Sequence, residues 1–546
     1  MALIPPPRLS SLELTSIFKQ TSNMRKIQNI LGLAAVILLS SCADLDQKSI
    51  SSIDKDNFYQ SKNDIETAIN GIYQEFTVNG MYGIWNNQTI YLNDLQTDYV
   101  RAGAQTNSAH IREVANFAVQ PTNLFVVNAW EAHYTAINRA NVVIDKVTTA
   151  DWLDEQSKQN YIAEARFLRA YTYFNLVRYF GGVPLVLHDG EGEGAPRNTV
   201  DEVYEQIVSD FTAAEQLPAN YTTLDSKASS LAASALLSKV YLVWAQTSSE
   251  KGKANQNAYY QKAVDYAQKV IDSGKYRLLD KFIDIWSVDK KNGPEHIFTF
   301  EHDRTVNANI TGHCVFATNW SDTEPVLIAT SDRYYTEMDP KDQRRNGSWA
   351  KSIINPNTGT DFVFTIPRFR KYIDSLNFAN PASSGNAAGQ STNSVVIRYG
   401  EVLLIKAEAE NELNGPTPAA YDAINQIRRR AYWSPYLNIQ NEPSDGSPLE
   451  LSGLTKEQFR QAVRDERWKE FILEGQRWFD LVRWHILVKH VKENSPASEP
   501  LKIQNVSKRN YLLPLPQDQI ILNPHLEQNW GYSGESGDGP YDSSFE

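Results

Sequence analysis

The chain has 546 residues, 41% of them hydrophobic and 22% charged, with 27 Gly and 24 Pro. That is the composition of a globular protein with a large core, and it excludes a disordered, collagenous or polytopic membrane chain. Lys and Arg total 53 against 65 Asp and Glu, a net charge of -12; with no basic run to offset it, such a surface repels phosphate backbones and excludes nucleic acid as a ligand. Aromatic residues reach 11%, with 12 Trp and 27 Tyr, more than core filling needs, which points to a surface that stacks on something.

The N-terminus reads as an address. Met24-Arg25-Lys26 and the apolar run Ile30 to Leu39 make a cationic head and a hydrophobic stretch too short to span a bilayer, ending in small residues at Ser40-Ser41. Residues 1–41 are therefore read as a non-mature leader, with the signal peptide at 24–41 and Met24 as the true start. Leu39-Ser40-Ser41-Cys42 resembles the lipobox of bacterial lipoproteins, which makes Cys42 the lipidated N-terminal residue and the membrane anchor. Cleavage removes Arg8, Lys19, Arg25 and Lys26 against Glu13, leaving a net charge near -15. Cys314 is then the only other cysteine, so no intrachain disulfide forms.

Beyond a polar tether at Ala43 to Ser52, Asn63-Asp64 is expected to cap a first helix on which Ile65, Ala68, Ile69, Ile72, Tyr73 and Phe76 recur at helical spacing. Gly80 to Gln120 loses that period and reads as loop presenting Tyr82, Trp85, Asn86, Asn87, Tyr91, Asn93 and Asp94 to solvent or ligand. Helices are predicted at Phe125 to Val147, Glu155 to Phe180, Val200 to Glu215, Lys227 to Ala245 and Tyr259 to Ser273. Gly181-Gly182-Val183-Pro184 stops the second of these. Alanines interleaved with Tyr and Leu allow close pairing of helices, and the pattern resembles tetratricopeptide repeats with their period of about 34 residues.

From Lys281 to Gln390 the helical period disappears, leaving short apolar runs such as Ile297 to Phe300 and Phe362 to Ile366 among Asn, Gly, Pro and Ser. So long a stretch is no passive connector and is expected to be an irregular subdomain carrying function. Helices resume at Tyr399 to Leu413, Pro418 to Tyr432 and Lys456 to Leu487, and the tail from Gly531 is rich in Gly, Ser, Asp and Glu. On the third of these helices Glu470, Glu474 and Arg477 stand at i, i+4 and i+7, which predicts buried ion pairing, while Trp478, Leu481 and Trp484 supply apolar mass.

The strongest local motifs are Glu401 to Glu410, Arg467-Trp468-Lys469-Glu470 with Glu474 to Leu481, Tyr511-Leu512-Leu513-Pro514-Leu515-Pro516, and Asn523-Pro524 to Tyr532. Together with Ala165 to Pro184 and the lipobox they resemble the SusD/RagB family of outer-membrane lipoproteins from Bacteroidota, across essentially the whole mature chain. One departure is Gly400, where many relatives carry Ala. The resemblance implies an all-α fold of tetratricopeptide-like helical hairpins supporting an irregular, loop-rich ligand-binding subdomain. Its regions would be 42–280 and 391–546 as helical regions flanking 281–390. It further implies a surface-exposed lipoprotein of the outer membrane that binds oligosaccharides and delivers them to a SusC-like TonB-dependent transporter. A peptide-binding RagB-like lipoprotein and a structural adaptor with no small ligand are the alternatives.

No catalytic constellation stands out: GxSxG, a glycine-rich phosphate loop and an EF-hand loop are all missing. Glu295-His296 and Glu301-His302 invite a metal, but on a strand the two histidines stand about 20 Å apart, and HExxH and CxxC spacings do not occur. The chain is read as a binding protein, not an enzyme, without metal or cofactor. A sugar needs a flat aromatic face beside amide and hydroxyl groups. Tyr82, Trp85, Asn86 and Asn87 in the early loop, and Asn319 and Trp320 in the irregular stretch, meet that need, with Trp286 and Trp349 as second choices.

Overall fold

The computed structural model describes residues 58–546 apart from 84–86, 105, 220–225, 316–321, 323, 355–358, 374–389, 536, 538, 542–543 and 546. Cys42 and the leader therefore lie outside the described residues. Residues 58–60 group with the preceding chain, and Ser61–Glu546 make up the compact unit described below.

The unit is an all-α scaffold. Helix α1 (Lys62–Gln74) begins on Ser61, whose hydroxyl and the Asp64 carboxylate cap each other's backbone amides; the predicted cap at Asn63-Asp64 is thus displaced by two residues, Asp64 being the partner in the first turn. Helix α2 (Leu124–Thr148) is capped by Asn123, α3 (Glu155–Phe180) by Asp154, and α4 (Val200–Ala214) by a Thr199/Glu202 box. Helix α5 (Ser230–Ala245) starts at the Ser229 cap, not at Lys227, and α6 spans Gln256–Asp272. Gly181 ends α3 with a φ of 73°, open to glycine and costly for other residues. In sequence order α2 packs on α3, α3 on α4, α4 on α5 and α5 on α6, which in turn packs on α7 (Tyr399–Asn414). Small residues let them approach: Ala245, Ala263 and Ala409 sit among Leu242, Tyr260, Val264 and Ile405 where α5, α6 and α7 meet. Helix α8 (Pro418–Ala431), with Thr417 as cap and Pro418 in the first turn, closes the array on α7.

The predicted helix from Lys456 to Leu487 is two helices. Helix α9 ends at Glu470 (Lys456–Glu470), α10 spans Arg477–Arg483, and the turn between them takes Leu473 and Gly475 to φ of 58° and 69°. Glu470, Glu474 and Arg477 consequently do not share one helical face, and the expected pairing among them is absent.

The irregular stretch contains the predicted apolar runs as strands. β1 (Val100–Ala102) pairs antiparallel with β3 (Leu327–Ala329), β2 (His296–Phe300) with β6 (Ser394–Arg398), and β4 (Trp349–Ile354) with β5 (Asp361–Phe369). Two of the three pairings join residues 281–390 to chain on either side. The stretch is therefore bonded into the helical scaffold through its backbone.

Half of the 12 tryptophans are core. Trp130, Trp244, Trp286, Trp349, Trp478 and Trp484 are buried, so abundance alone did not announce a stacking surface.

Candidate functional site

The early segment after α1 is not a solvent-facing loop. Ile90, Tyr91, Leu92, Asn93 and Asp94 are buried on a π-helical turn, Thr89–Asp94, and polar partners inside the protein satisfy them. The Tyr179 hydroxyl donates to Asn93 Oδ1 at 2.8 Å, the Tyr99 hydroxyl to Asp94 Oδ1 at 2.6 Å, and the Gly475 amide to Asp94 Oδ2 at 3.0 Å. A run of polar residues lacking helical period reads as loop in sequence. Here tertiary donors replace water.

Tyr82 and Asn87, both expected to face a ligand, are buried. The Tyr82 hydroxyl is 2.8 Å from that of Tyr171, and its ring lies 5.4 Å from Phe300. Asn87 donates to Thr311 Oγ1 at 2.9 Å and accepts from the Ile90 amide at 3.3 Å. Their amide and hydroxyl groups are engaged inside the protein. Trp85, Asn86, Asn319 and Trp320 lie outside the described residues. Trp286 and Trp349, the second choices, are core: Trp286 packs edge-on to Phe282 at 5.0 Å, and Trp349 lies 4.7 Å from Phe369.

What the described residues do define is a rim. The Gln88 amide donates to the Met81 carbonyl at 2.8 Å and closes the base of the early loop. Asn87 then ties that base to Thr311, which opens the short helix Thr311–Val315. Asn309 and Gln390 exchange two backbone hydrogen bonds at 2.9 and 3.1 Å. At Gly312 a Cβ would stand 2.5 Å from the Tyr372 carbonyl oxygen and 3.3 Å from Gln390 Cγ, so glycine permits the approach of three segments. Tyr91 anchors the same corner, its ring stacked on Phe125 at 4.5 Å and its hydroxyl 3.1 Å from Cys314 Sγ. Gly83, Asn87, Val315, Ile373 and Gln390 bound the stretches 84–86, 316–321 and 374–389, and contacts at or one to four residues from each of these boundaries bring them together. Asp322, just beyond the stretch that holds Asn319 and Trp320, accepts from the Thr365 amide at 3.1 Å and from Arg368 at 3.2 Å, so it fastens its segment to β5.

Behind the rim lies a buried ionic network: the buried ion pairing expected of Glu470 and Glu474 is present, but with Arg344, Lys371, Arg398 and Arg430 as partners in place of Arg477. Arg398 reaches Glu470 at 2.6 Å, Glu295 at 2.9 Å and Glu474 at 3.0 Å. Arg344 reaches Glu466 at 2.6 Å, Asp342 at 2.7 Å and Glu470 at 3.2 Å. Arg430 pairs with Glu295 at 3.2 Å and with Glu470, Lys371 with Glu474 at 2.7 Å, and Arg428 with Glu466 at 3.3 Å. Five cations face five carboxylates, which is why so many charges tolerate burial. Burial alone would push the Glu470 carboxyl up; Arg430, Arg398 and Arg344 outweigh it and hold the group well below the usual carboxylate range. Besides Glu470 and Glu474, the sequence offered Arg398 as a signal, a cation ending the apolar run Val395-Val396-Ile397. Gly400 belongs to this network: a Cβ there would stand 2.8 Å from Arg398 Nη1.

His296 and His302 are buried and hydrogen-bonded to the Ile285 and Asn307 carbonyls. Burial lowers both, His302 to about 4, so they are neutral. Among the described residues no cluster of three His, Cys, Asp or Glu stands ready for a metal.

A stack of helical hairpins holds an irregular, strand-linked region in place by buried ion pairs, and Asn87, Thr311, Gly312, Tyr372 and Gln390 converge at one corner of it. The sequence profile described as the SusD family matches residues 242–532, and one described as starch-binding and associating with the outer membrane matches residues 45–242. The chain belongs to the SusD family. It is 29% identical over 542 residues to SusD-like protein P2 of Formosa agariphila, covering 92% of this chain and 99% of that one. Among solved structures, a SusD superfamily protein from Parabacteroides distasonis superposes with a TM-score of 0.71 at 23% identity, covering 86% of this chain and 99% of the other. A laminarin-binding SusD-like protein superposes with a TM-score of 0.69 at 22% identity, covering 87% and 100%.

Proposed function

We propose that the protein captures an oligosaccharide at the loop rim and delivers it to a SusC-like TonB-dependent transporter, held on the cell-surface side of the outer membrane by a lipid on Cys42. The observation that carries the reading is the convergence of Asn87, Thr311, Gly312, Tyr372 and Gln390, which brings together the boundaries of the stretches holding Trp85 and Trp320. Family membership, the starch-binding description of the second profile and the laminarin-binding neighbour favour a glycan over a peptide. Among the described residues no helix is long and apolar enough to cross a membrane, and the lipid on Cys42 supplies the attachment. Regions 42–280 and 281–390 then each supply a stretch of the ligand site, that of Trp85 and that of Trp320, and 391–546 completes the scaffold. Binding is favoured over catalysis because Glu295, Glu466, Glu470 and Glu474 behind the rim are all consumed by cations.

The test is titration with laminarin, starch oligosaccharides and a peptide mixture, read by Trp fluorescence. Trp85→Ala or Trp320→Ala removes a stacking platform worth about 0.5 to 1.5 kcal/mol, which weakens the glycan roughly 2- to 12-fold with an unchanged melting temperature. Trp478→Ala is the contrast: wholly buried in the core, it costs about 3 to 5 kcal/mol of stability while the folded fraction still binds. Binding of peptide alone, or glycan affinity untouched by both loop substitutions, would refute the reading. Mass spectrometry of membrane-extracted protein is expected to show an acylated Cys42, and detergent pull-down a large TonB-dependent barrel.

A further inference from the structure

A cavity of about 730 Å³ lies between α4, α5, α7 and α10 and shares no residue with the loop rim. Tyr204, Leu242, Val243, Ile405, Phe479 and Leu512 form apolar walls. One side is cationic. Lys239 pairs with Glu401 at 2.8 Å, Arg467 with Asp480 at 2.9 Å, and Arg483 with Asp480 at 2.8 Å and with Glu408 at 2.8 Å. Arg178, on the same side, has no carboxylate partner among the described residues. Its guanidinium sits between the rings of Phe174 and Phe479, 4.1 and 3.9 Å from their centroids, and donates only to the Phe174 carbonyl at 3.1 Å and to Asn175. The lining holds five cations, Arg178, Lys239, Lys251, Arg467 and Arg483, and five carboxylates, Asp201, Glu202, Glu250, Glu401 and Asp480, yet none of these carboxylates forms an ion pair with Arg178. Arg467, only 2% exposed, also has an Nη1 with no hydrogen-bond acceptor among the described residues. Asp201 and Glu202 are engaged elsewhere: Asp201 accepts from the Trp244 indole and the Lys251 amide, and Glu202 caps Thr199.

A half-buried guanidinium, sandwiched between two rings without an anion in contact, favours an anionic partner, and the unmade hydrogen bond of the buried Arg467 adds a donor beside it. The volume is that of a small-molecule site. We propose that this cavity binds a small molecule with an aromatic or apolar body and one carboxylate, which pairs with Arg178 and with Arg467 Nη1. The planar fork of a guanidinium suits a carboxylate, and the ring of the ligand meets Tyr204 and Phe479. The inference is independent of the glycan reading.

The experiment is calorimetric titration of the full chain with 2-naphthoate, beside 2-naphthylmethanol and 2-naphthylmethylammonium, which keep the ring and replace the anion with a neutral or a cationic group. Naphthoate is expected to bind one site, and the other two about tenfold or more weakly. Arg178→Gln is expected to weaken naphthoate by about tenfold and leave the alcohol unchanged, while Val243→Trp fills the cavity and abolishes binding; Trp85→Ala has no effect on naphthoate. Equal binding of the three probes, binding that survives Val243→Trp, or no binding of naphthoate overturns the proposal. Should Arg178→Gln fail to fold, the probe series on the unaltered chain and Val243→Trp decide it.

Discussion

Asp94 and Glu470 show how differently two buried carboxyls fare. Glu470 is fully buried and touches three arginines, so its charge is compensated from every side. Glu470→Gln leaves those arginines facing a neutral group, and urea unfolding is expected to show a loss of about 3 to 5 kcal/mol. Glu450→Gln, which breaks a half-exposed pair with Arg429, is expected to change stability by about 1 kcal/mol or less. Asp94 has no such partner. Burial raises it from 3.8 to about 7, and the hydrogen bonds from Tyr99 and Gly475 recover only part of the cost. Folded, it keeps a proton that the unfolded chain has already lost, so its contribution to stability is complete below pH 3.8 and disappears as pH rises through about 7. Unfolding midpoints measured between pH 5 and pH 9 are expected to fall less steeply for Asp94→Asn than for the unaltered chain. An identical slope in both proteins would contradict this assignment. Glu408 works in the opposite sense: despite burial, Arg483 holds it at about 2, so its stabilisation is present above 4.5 and is lost as pH falls through about 2.

At the scale of elements, the break between α9 and α10 is what links the early segment to the C-terminal motifs. The Leu473 amide donates to the Tyr99 hydroxyl at 2.9 Å, the Gly475 amide to Asp94, and Asn93 to the Gly475 carbonyl at 3.2 Å. Gly475 has a φ of 69°, and a Cβ there would collide with Thr89. Gly475→Ala is therefore expected to cost about 1 to 2 kcal/mol from the left-handed backbone alone and more from displacing Thr89, read as a lower urea midpoint. A variant as stable as the original would mean that the turn relaxes. Gly475 was visible in the sequence as the one glycine in a charged helical pattern. Its meaning was not, because an isolated glycine is tolerated within a helix and the partners that hold the turn lie nearly 400 positions away.

Across the whole molecule the ionic network and the strand pairs join the irregular region to the helices on both sides. Calorimetric unfolding of the mature chain is accordingly expected to show one transition whose calorimetric and van't Hoff enthalpies agree; two separate peaks would show that residues 281–390 unfold by themselves. Helix positions, the all-α scaffold and the family were legible in the chain itself, because caps, alanine spacing and the 3.6-residue period are local and repeat along it. The burial of Tyr82 and Asn87, the core roles of Trp286 and Trp349, and the partners of Glu470 and Glu474 were decided only by tertiary structure. A polar or aromatic side chain carries no mark of which distant segment will satisfy it, and that depends on how the folded backbone brings Thr311 to Asn87 and Arg398 to Glu470.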